Sequence, residues 1–190
     1  LVVAADGRTS QCRAAAGIGT TAWSYDQAAL ACTFSHTRPH RGVSTELHRT
    51  AGPLTTVPMP GLASSLVWVE RPAEAERLKD MPEQGFRAEL ERRLQGLLGS
   101  IGEIGPRRAF PLSGLTADVD GRNRVALVGE AGHVIPPIGA QGLNLGLRDA
   151  ATIAELAEKA CAEGRDPGGV DVLEAYSRAR RIDITYDRDA

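Results

Sequence analysis

The rhythm of apolar and polar positions changes along the chain. Leu1-Val2-Val3-Ala4-Ala5 is a continuous apolar run, as expected for a strand buried on both faces of a parallel sheet. Asp6-Gly7 turns the chain, and Thr9 or Ser10 can cap a short helix through Ala16. From Trp23 to His36 the positions alternate. Leu30, Cys32 and Phe34 fall on one side and Gln27, Thr33 and Ser35 on the other, which predicts a half-buried antiparallel strand. Further short strands fit at about 44–49, 54–58 and 64–70, with Pro and Gly clusters as the turns between them. Pro72 suits the first turn of a helix, with Glu74 and Glu76 near its positive end. A second helix is predicted over about 83–98. Phe86, Leu90, Leu94 and Leu97 form its buried stripe, and Glu89 stands four residues before Arg93 on its exposed face. Arg107 to Leu112 reads as another strand.

The first texture then returns. Val125-Ala126-Leu127-Val128 is again a short, fully apolar strand, ended by Gly129. A Gly/Pro-rich stretch leads to a helix over about 142–162, with Leu143, Leu147, Ala150, Ala151, Ala154 and Leu156 as its expected buried face and Gly164 as its stop. A last helix covers about 169–184. So α/β texture brackets an antiparallel insert. The predicted fold is α/β (α+β): a discontinuous domain, 1–16 and 116–190, carrying an inserted sheet-and-helix domain, 17–115.

Composition narrows the function classes. The length of 190 residues allows one ordinary domain, or one domain and part of another. A net charge of −2, with three Phe, two Trp and three Tyr, argues against a nucleic-acid groove or a base-stacking module. Cys12, Cys32 and Cys161 are odd in number and far apart, so they read as small core residues in a reducing cytoplasm. His36 and His40 have no third ligand at motif spacing, and no metal is expected. The uncharged run from Thr50 to Val69 is long enough to cross a bilayer, but Pro53, Pro58 and Pro60 would break a spanning helix. Peripheral membrane contact stays open.

Two glycine-rich stretches invite a cofactor. Gly17-Ile18-Gly19-Thr20-Thr21-Ala22 matches a dinucleotide pattern, yet it follows a predicted helix and leads into a strand. The fingerprint needs the reverse order, so that backbone amides face a pyrophosphate. The stretch VALVGEAGHVIPPIGAQGLNLGLRD, Val125 to Asp149, meets the requirement better. Its strand delivers Gly129-Glu130 to the carboxyl edge of a sheet, where α/β proteins bind ligands. A carboxylate there accepts hydrogen bonds from sugar or ribitol hydroxyls. Pro136-Pro137 forms a stiff wall, and Gly139, Ala140 and Gly142 let a flat ligand approach the backbone. The helix that follows points its free amides and positive end into the same space.

This stretch resembles the second flavin-binding motif, G-D-x-x-H…P-x-x-G-Q-G-x-N, of the flavin-dependent aromatic hydroxylases (class A flavoprotein monooxygenases). The start, Leu1 to Arg13, resembles that family's Asp-Gly motif, which ends S-x-x-R. Tyr25-Asp26-Gln27-Ala28-Ala29-Leu30, Gly52-Pro53-Leu54, Val67-Trp68 and Phe110-Pro111-Leu112 are similar to the ubiquinone-biosynthesis branch. The resemblance covers essentially the whole chain. It implies a partial FAD-binding Rossmann-like domain with an inserted antiparallel-sheet substrate domain, and it implies roles for individual residues. Glu130 would hold the flavin ribitol or the nearby phosphate. Gln141, Gly142, Leu143 and Asn144 would set backbone amides against the pyrimidine edge of the ring. Pro136 and Pro137 would line the flavin–substrate boundary, close to Gly129 and Gly139. Asp6, Gly7 and Arg13 would support the cofactor phosphates and the passage of the reduced nicotinamide.

The sequence departs from the family pattern at Glu130, where Asp is usual, and at Ala140, where Gly is usual. Each adds one carbon and neither removes the site. Plainer roles stay open: Asp6 as a cap, Arg13 as a surface ion pair, Glu130 as a helix N-terminal acid and His133 as a structural histidine packed under the loop. No catalytic residue is assigned. The resemblance implies that NAD(P)H reduces bound FAD and that O2 is then used to hydroxylate a polyprenylated phenol. A soluble aromatic acid held by Arg38, Arg41 or Arg49 is an alternative, as is a non-catalytic prenyl-binding module of the same fold. A greasy substrate implies a cytoplasmic protein touching the inner membrane face. The 190 residues contain no strand with G-x-G-x-x-G for the ADP half, so the expectation is an internal segment of a longer enzyme that alone binds FAD weakly or not at all.

Overall fold

The computed structural model describes residues 1–137 and 141–188, with side chains described through Arg181. Along the chain run β1 (Val2–Ala4), α1 (Gln11–Ala15), β2 (Thr20–His36), β3 (Thr45–Leu47), β4 (Leu54–Met59), β5 (Ala63–Glu70), α2 (Pro72–Asp80), α3 (Glu83–Leu94), β6 (Ile101–Ile104), β7 (Arg108–Ala117), β8 (Gly121–Arg122), β9 (Val125–Leu127), a single 3-10 turn (Gly129–Ala131), β10 (His133–Val134), α4 (Gln141–Ala162) and α5 (Val170–Arg188). Two compact units result, one of residues 1–24 and 113–190 and the other of residues 25–112. β2 and β7 each run from one unit into the other.

The unit of residues 25–112 is built on antiparallel strands. β2 pairs β5, β5 pairs β4 and β4 pairs β3, while β6 pairs the end of β2. Even-numbered positions of β2 and β5 face α2 and α3, so Leu30, Cys32, Phe34, Leu66 and Trp68 join Leu78, Phe86, Leu90 and Leu94 in one core. Burying each such large side chain contributes roughly 2 kcal/mol. α3 stops at Leu94 because Gln95 adopts a left-handed conformation (φ 47°). The predicted stripe is therefore corrected at its end: Leu97 is exposed and Leu98 takes the buried place. Buried Glu70 receives Arg49 at 2.8 Å and the Trp68 indole N–H at 3.1 Å.

In the other unit β1 pairs β9 in parallel, and β9 pairs β8 through a tight hairpin whose turn residues, Asn123 and Arg124, both have positive φ. The expectation that residues 1–5 are buried on both faces is corrected. β1 is the outer strand of its three-stranded sheet, and Val2 and Val3 are about half exposed at 49% and 48%. Only Ala4 of that strand enters the core, with Ala16, Ile18, Leu127 and Ala131. Gly17 to Ala22 leads from α1 into β2, and buried Ile18 packs there, which leaves the stretch as a connection. Cys12 is half-buried and Cys32 buried, but Cys161 is exposed on α4 and is not a core residue. Among the described residues no helix is long and apolar enough to cross a membrane.

Candidate functional site

Parallel pairing sends both glycine-bearing segments off one sheet edge. Ala4 stands opposite Leu127, and the Val128 amide donates to the Ala4 carbonyl at 2.9 Å. Asp6-Gly7 and Gly129-Glu130 therefore leave their strands in the same direction. Asp6 accepts from the Ser10 hydroxyl at 2.5 Å and from the Cys12 amide at 3.1 Å, and Ser10 in turn accepts the Arg13 amide at 2.9 Å. The Ser10 and Cys12 bonds hold the Asp6 carboxyl down at about 2. Ser10 is the N-cap of α1, and Asp6 supports it while accepting the Cys12 amide of the first turn. Gly7, at φ 80°, makes the turn into it.

Arg13 corrects the surface ion-pair reading. Its guanidinium donates to the Ala131 carbonyl at 2.8 Å and to the Arg8 carbonyl at 2.9 Å. It ties the first motif to the turn of the second.

That turn is held from below. Gly129 has a left-handed φ of 60° and its amide donates to Asp149 Oδ2 at 2.9 Å. His133 Nε2 meets the same oxygen at 2.6 Å, and Arg180 Nε donates to Asp149 Oδ1 at 2.6 Å. Burial works to raise the Asp149 carboxyl, but the bonds from His133, the Gly129 amide and Arg180 prevail and hold it below its usual value. His133 is thus a structural histidine, as its position under the loop suggests. Asp120 lies buried close by, and burial raises its carboxyl to about 6. Tyr176 donates its hydroxyl to the Leu127 carbonyl at 2.5 Å, which fixes the end of β9.

Sequence reasoning missed Asp120, Asp149, Tyr176 and Arg180. It also placed the wrong face of the first half of α4 inward, although Leu156 packs against the core as expected. The helix buries Leu145, Asp149, Ile153 and Ala160, while Leu143 and Leu147 are 74% and 60% exposed and Ala150, Ala151 and Ala154 are exposed too. A charged residue at the centre of the buried face breaks the apolar periodicity, so the pattern rotated the helix. Gly146 packs on the turn: a Cβ there would sit 3.4 Å from the Gly129 Cα, in van der Waals contact.

Glu130 is exposed on the 3-10 turn. Pro136 is half-buried and Pro137 exposed, while Gly139 and Ala140 lie outside the described residues. Gln141, Gly142, Leu143 and Asn144 are all exposed in the first turn of the 22-residue α4. The opening amides of a helix have no intrahelical acceptor and sit at its positive end.

A family model described as FAD binding domain matches residues 1–184. The chain belongs to this FAD-binding family. It is 45% identical to a ubiquinone hydroxylase of Rhodospirillum rubrum, over 96% of this chain and 43% of that protein. It is 32% identical to the 3-demethoxyubiquinol 3-hydroxylase of Escherichia coli (strain K12), over 96% of this chain and 46% of the relative. The chain thus spans under half the length of these curated relatives. In fold it is similar to the p-nitrophenol 4-monooxygenase of Pseudomonas putida, with a TM-score of 0.70 and 24% identity over 95% of this chain and 45% of that one. Aklavinone-11 hydroxylase, solved with FAD and aklavinone, is similar at a TM-score of 0.72 and 22% identity, over 96% of this chain and 35% of its own.

Proposed function

We propose that the protein carrying this chain is an FAD- and NAD(P)H-dependent monooxygenase that hydroxylates a polyprenylated phenol of ubiquinone biosynthesis. The observation that carries the reading is the shared sheet edge, where Asp6-Gly7, Gly129-Glu130 and the strap from Arg13 to Ala131 come together. The names of the relatives support the substrate class.

The residues present fit a flavin. Glu130 offers an exposed carboxylate to ribitol hydroxyls. Gln141, Gly142, Leu143 and Asn144 offer exposed amides at a positive helix end, suited to the pyrimidine edge of the ring. Pro136 and Pro137 would form the wall between ring and substrate. Asp6, Gly7 and Arg13 act by shaping backbone: the Asp6 carboxylate and the Arg13 guanidinium are committed to protein partners. FAD, when bound, would supply the redox chemistry between NAD(P)H and O2.

Arg49 is engaged by Glu70 and Arg38 donates to the Gly96 carbonyl at 2.6 Å, which leaves exposed Arg41 as the candidate for holding a soluble aromatic acid. A membrane-borne phenol implies peripheral membrane contact. The test is NAD(P)H consumption by the intact, FAD-loaded protein with a prenylated phenol, with product mass measured. A gain of one oxygen supports the reading. Tight prenyl binding with no flavin and no turnover would replace it with a binding module.

A further inference from the structure

We infer that residues 25–112 carry a binding site for a small organic anion with an apolar body, a phosphate monoester or a carboxylate. The site uses none of the residues proposed for FAD and does not depend on that proposal.

It forms where two elements end. β3 is the last strand of its sheet among the described residues, and Leu47, Leu54 and Trp68 stand in one cross-strand row on the helix side. α3 stops at Leu94, where Gln95 turns left-handed. Between them lies a cavity of about 420 Å³, walled by Leu47 and Arg49 from the strand side and by Arg92, Arg93, Leu94 and Leu97 from the helix side. Small-ligand pockets usually measure roughly 300–1,000 Å³. None of the lining residues is acidic.

Charge decides the kind of ligand. Three guanidinium groups share two carboxylates at this wall. Glu89 receives Arg92 at 2.6 Å and Arg93 at 2.7 Å, while buried Glu70 receives Arg49 at 2.8 Å and has Arg93 at 3.9 Å. The neighbouring acids are engaged elsewhere. Glu74 pairs with Arg77 at 2.6 Å, and Glu91 accepts the Ile101 amide at 2.8 Å on the β6 side of α3. Glu46 alternates with Thr45 and Leu47, so it faces the other side of β3, where it meets Thr55 at 3.2 Å and His48 at 3.1 Å. One positive charge is therefore in surplus.

The donors are also fixed in place. Arg49 and Arg93 are only 25% and 19% exposed, and their guanidinium carbons lie 5.8 and 5.3 Å from the centre of the Trp68 ring. Arg49 Nη1 is buried and has no hydrogen-bond partner among the described residues. Guanidinium forks held this way suit the paired oxygens of a carboxylate or phosphate. Leu47, Leu94 and exposed Leu97 give the apolar contact that asks for a hydrocarbon body behind the charged head.

Isothermal titration of the intact protein with hexyl phosphate, hexanoate, inorganic phosphate and hexanol tests this. The expected result is binding of one or both alkyl anions, weakened by salt, with inorganic phosphate weaker and hexanol undetectable. Arg92→Gln is expected to raise the Kd of the bound alkyl anion roughly tenfold, the loss of one charge-assisted hydrogen bond. Leu97→Ser should weaken the alkyl anion and leave inorganic phosphate unchanged. Both side chains are exposed, so both variants should fold and keep their affinity for FAD. Failure of both alkyl anions to bind, binding that Arg92→Gln does not reduce, or an alkyl anion bound no tighter than inorganic phosphate or hexanol overturns the site. None of these outcomes touches the flavin reading, which NAD(P)H consumption tests separately.

Discussion

The ring of His133 and the carboxylate of Asp149 meet at 2.6 Å with both side chains almost wholly buried. The same carboxylate carries the Gly129 amide and Arg180, so one buried charge fixes both ends of the turn that presents Glu130. Removing one partner of a buried pair leaves the other charge uncompensated. Asp149→Asn keeps the shape and is expected to destabilise by about 3–5 kcal/mol in urea unfolding. A loss under about 1 kcal/mol would deny the network its structural role.

Asp120 gives a pH signature. Its folded carboxyl stands at about 6 against a usual 3.8, because burial disfavours the charge. Between those values the folded state binds more protons than the unfolded state, so stability falls as pH rises. The effect is present in full below about 4, is lost above about 6, and amounts to about 3 kcal/mol. Asp120→Asn cannot titrate. Relative to wild type, it is expected to be more stable at pH 7 than at pH 4 by about that amount, as chemical denaturation at both values will show. An equal difference at the two pH values would refute it. Asp149 has the opposite sign: its depressed carboxyl contributes stability above the unfolded value and loses it only in acid.

Gly129 is needed for its φ of 60°, and it packs against Gly146. A left-handed conformation costs a residue with a Cβ about 1–2 kcal/mol. Gly129→Ala is expected to lower stability by about that much, with the Ala Cβ 3.9 Å from the Gly146 Cα and hence without a clash. Gly146→Leu is expected to displace the turn and to weaken FAD binding more than Gly129→Ala does. Isothermal titration of the intact protein with FAD ranks the two, and the reverse order would defeat the packing argument.

Elements with clean periodicity were legible before any coordinates. β2, β4, β5, α2 and the start of α3 follow from alternating or helical spacing, and the antiparallel unit from their order. The short strands β6, β8 and β10 carry too few residues to show a period, and only pairing defines them. The loop residues of the candidate site were readable as motif. The support beneath them was not, because Asp149 and Arg180 look like surface charges in a one-dimensional pattern. Only the fold brings residues 31 positions apart into a buried pair at 2.6 Å.

Glu130 offers the sharpest test of the flavin reading, because its carboxylate has no hydrogen bond or ion pair to another of the described residues. It is exposed on its turn, whereas Asp6 and Arg13 are committed to protein partners. A hydrogen bond from a ribitol hydroxyl to a carboxylate contributes about 1.5–3 kcal/mol, so Glu130→Ala is expected to raise the Kd for FAD by roughly ten- to a hundredfold. Stability without FAD should change by no more than about 0.5 kcal/mol, as for other exposed sites. Glu130→Gln keeps an acceptor without the charge and should fall between. Glu130→Asp restores the family's usual residue one methylene shorter, and should bind FAD within a few-fold of wild type if the backbone can adjust by that length. Flavin fluorescence quenching on the intact protein measures all four Kd values. If Ala binds FAD as tightly as Glu, the carboxylate does not touch the cofactor, and affinity must come from the amides at the start of α4 and from Arg13's hold on the turn.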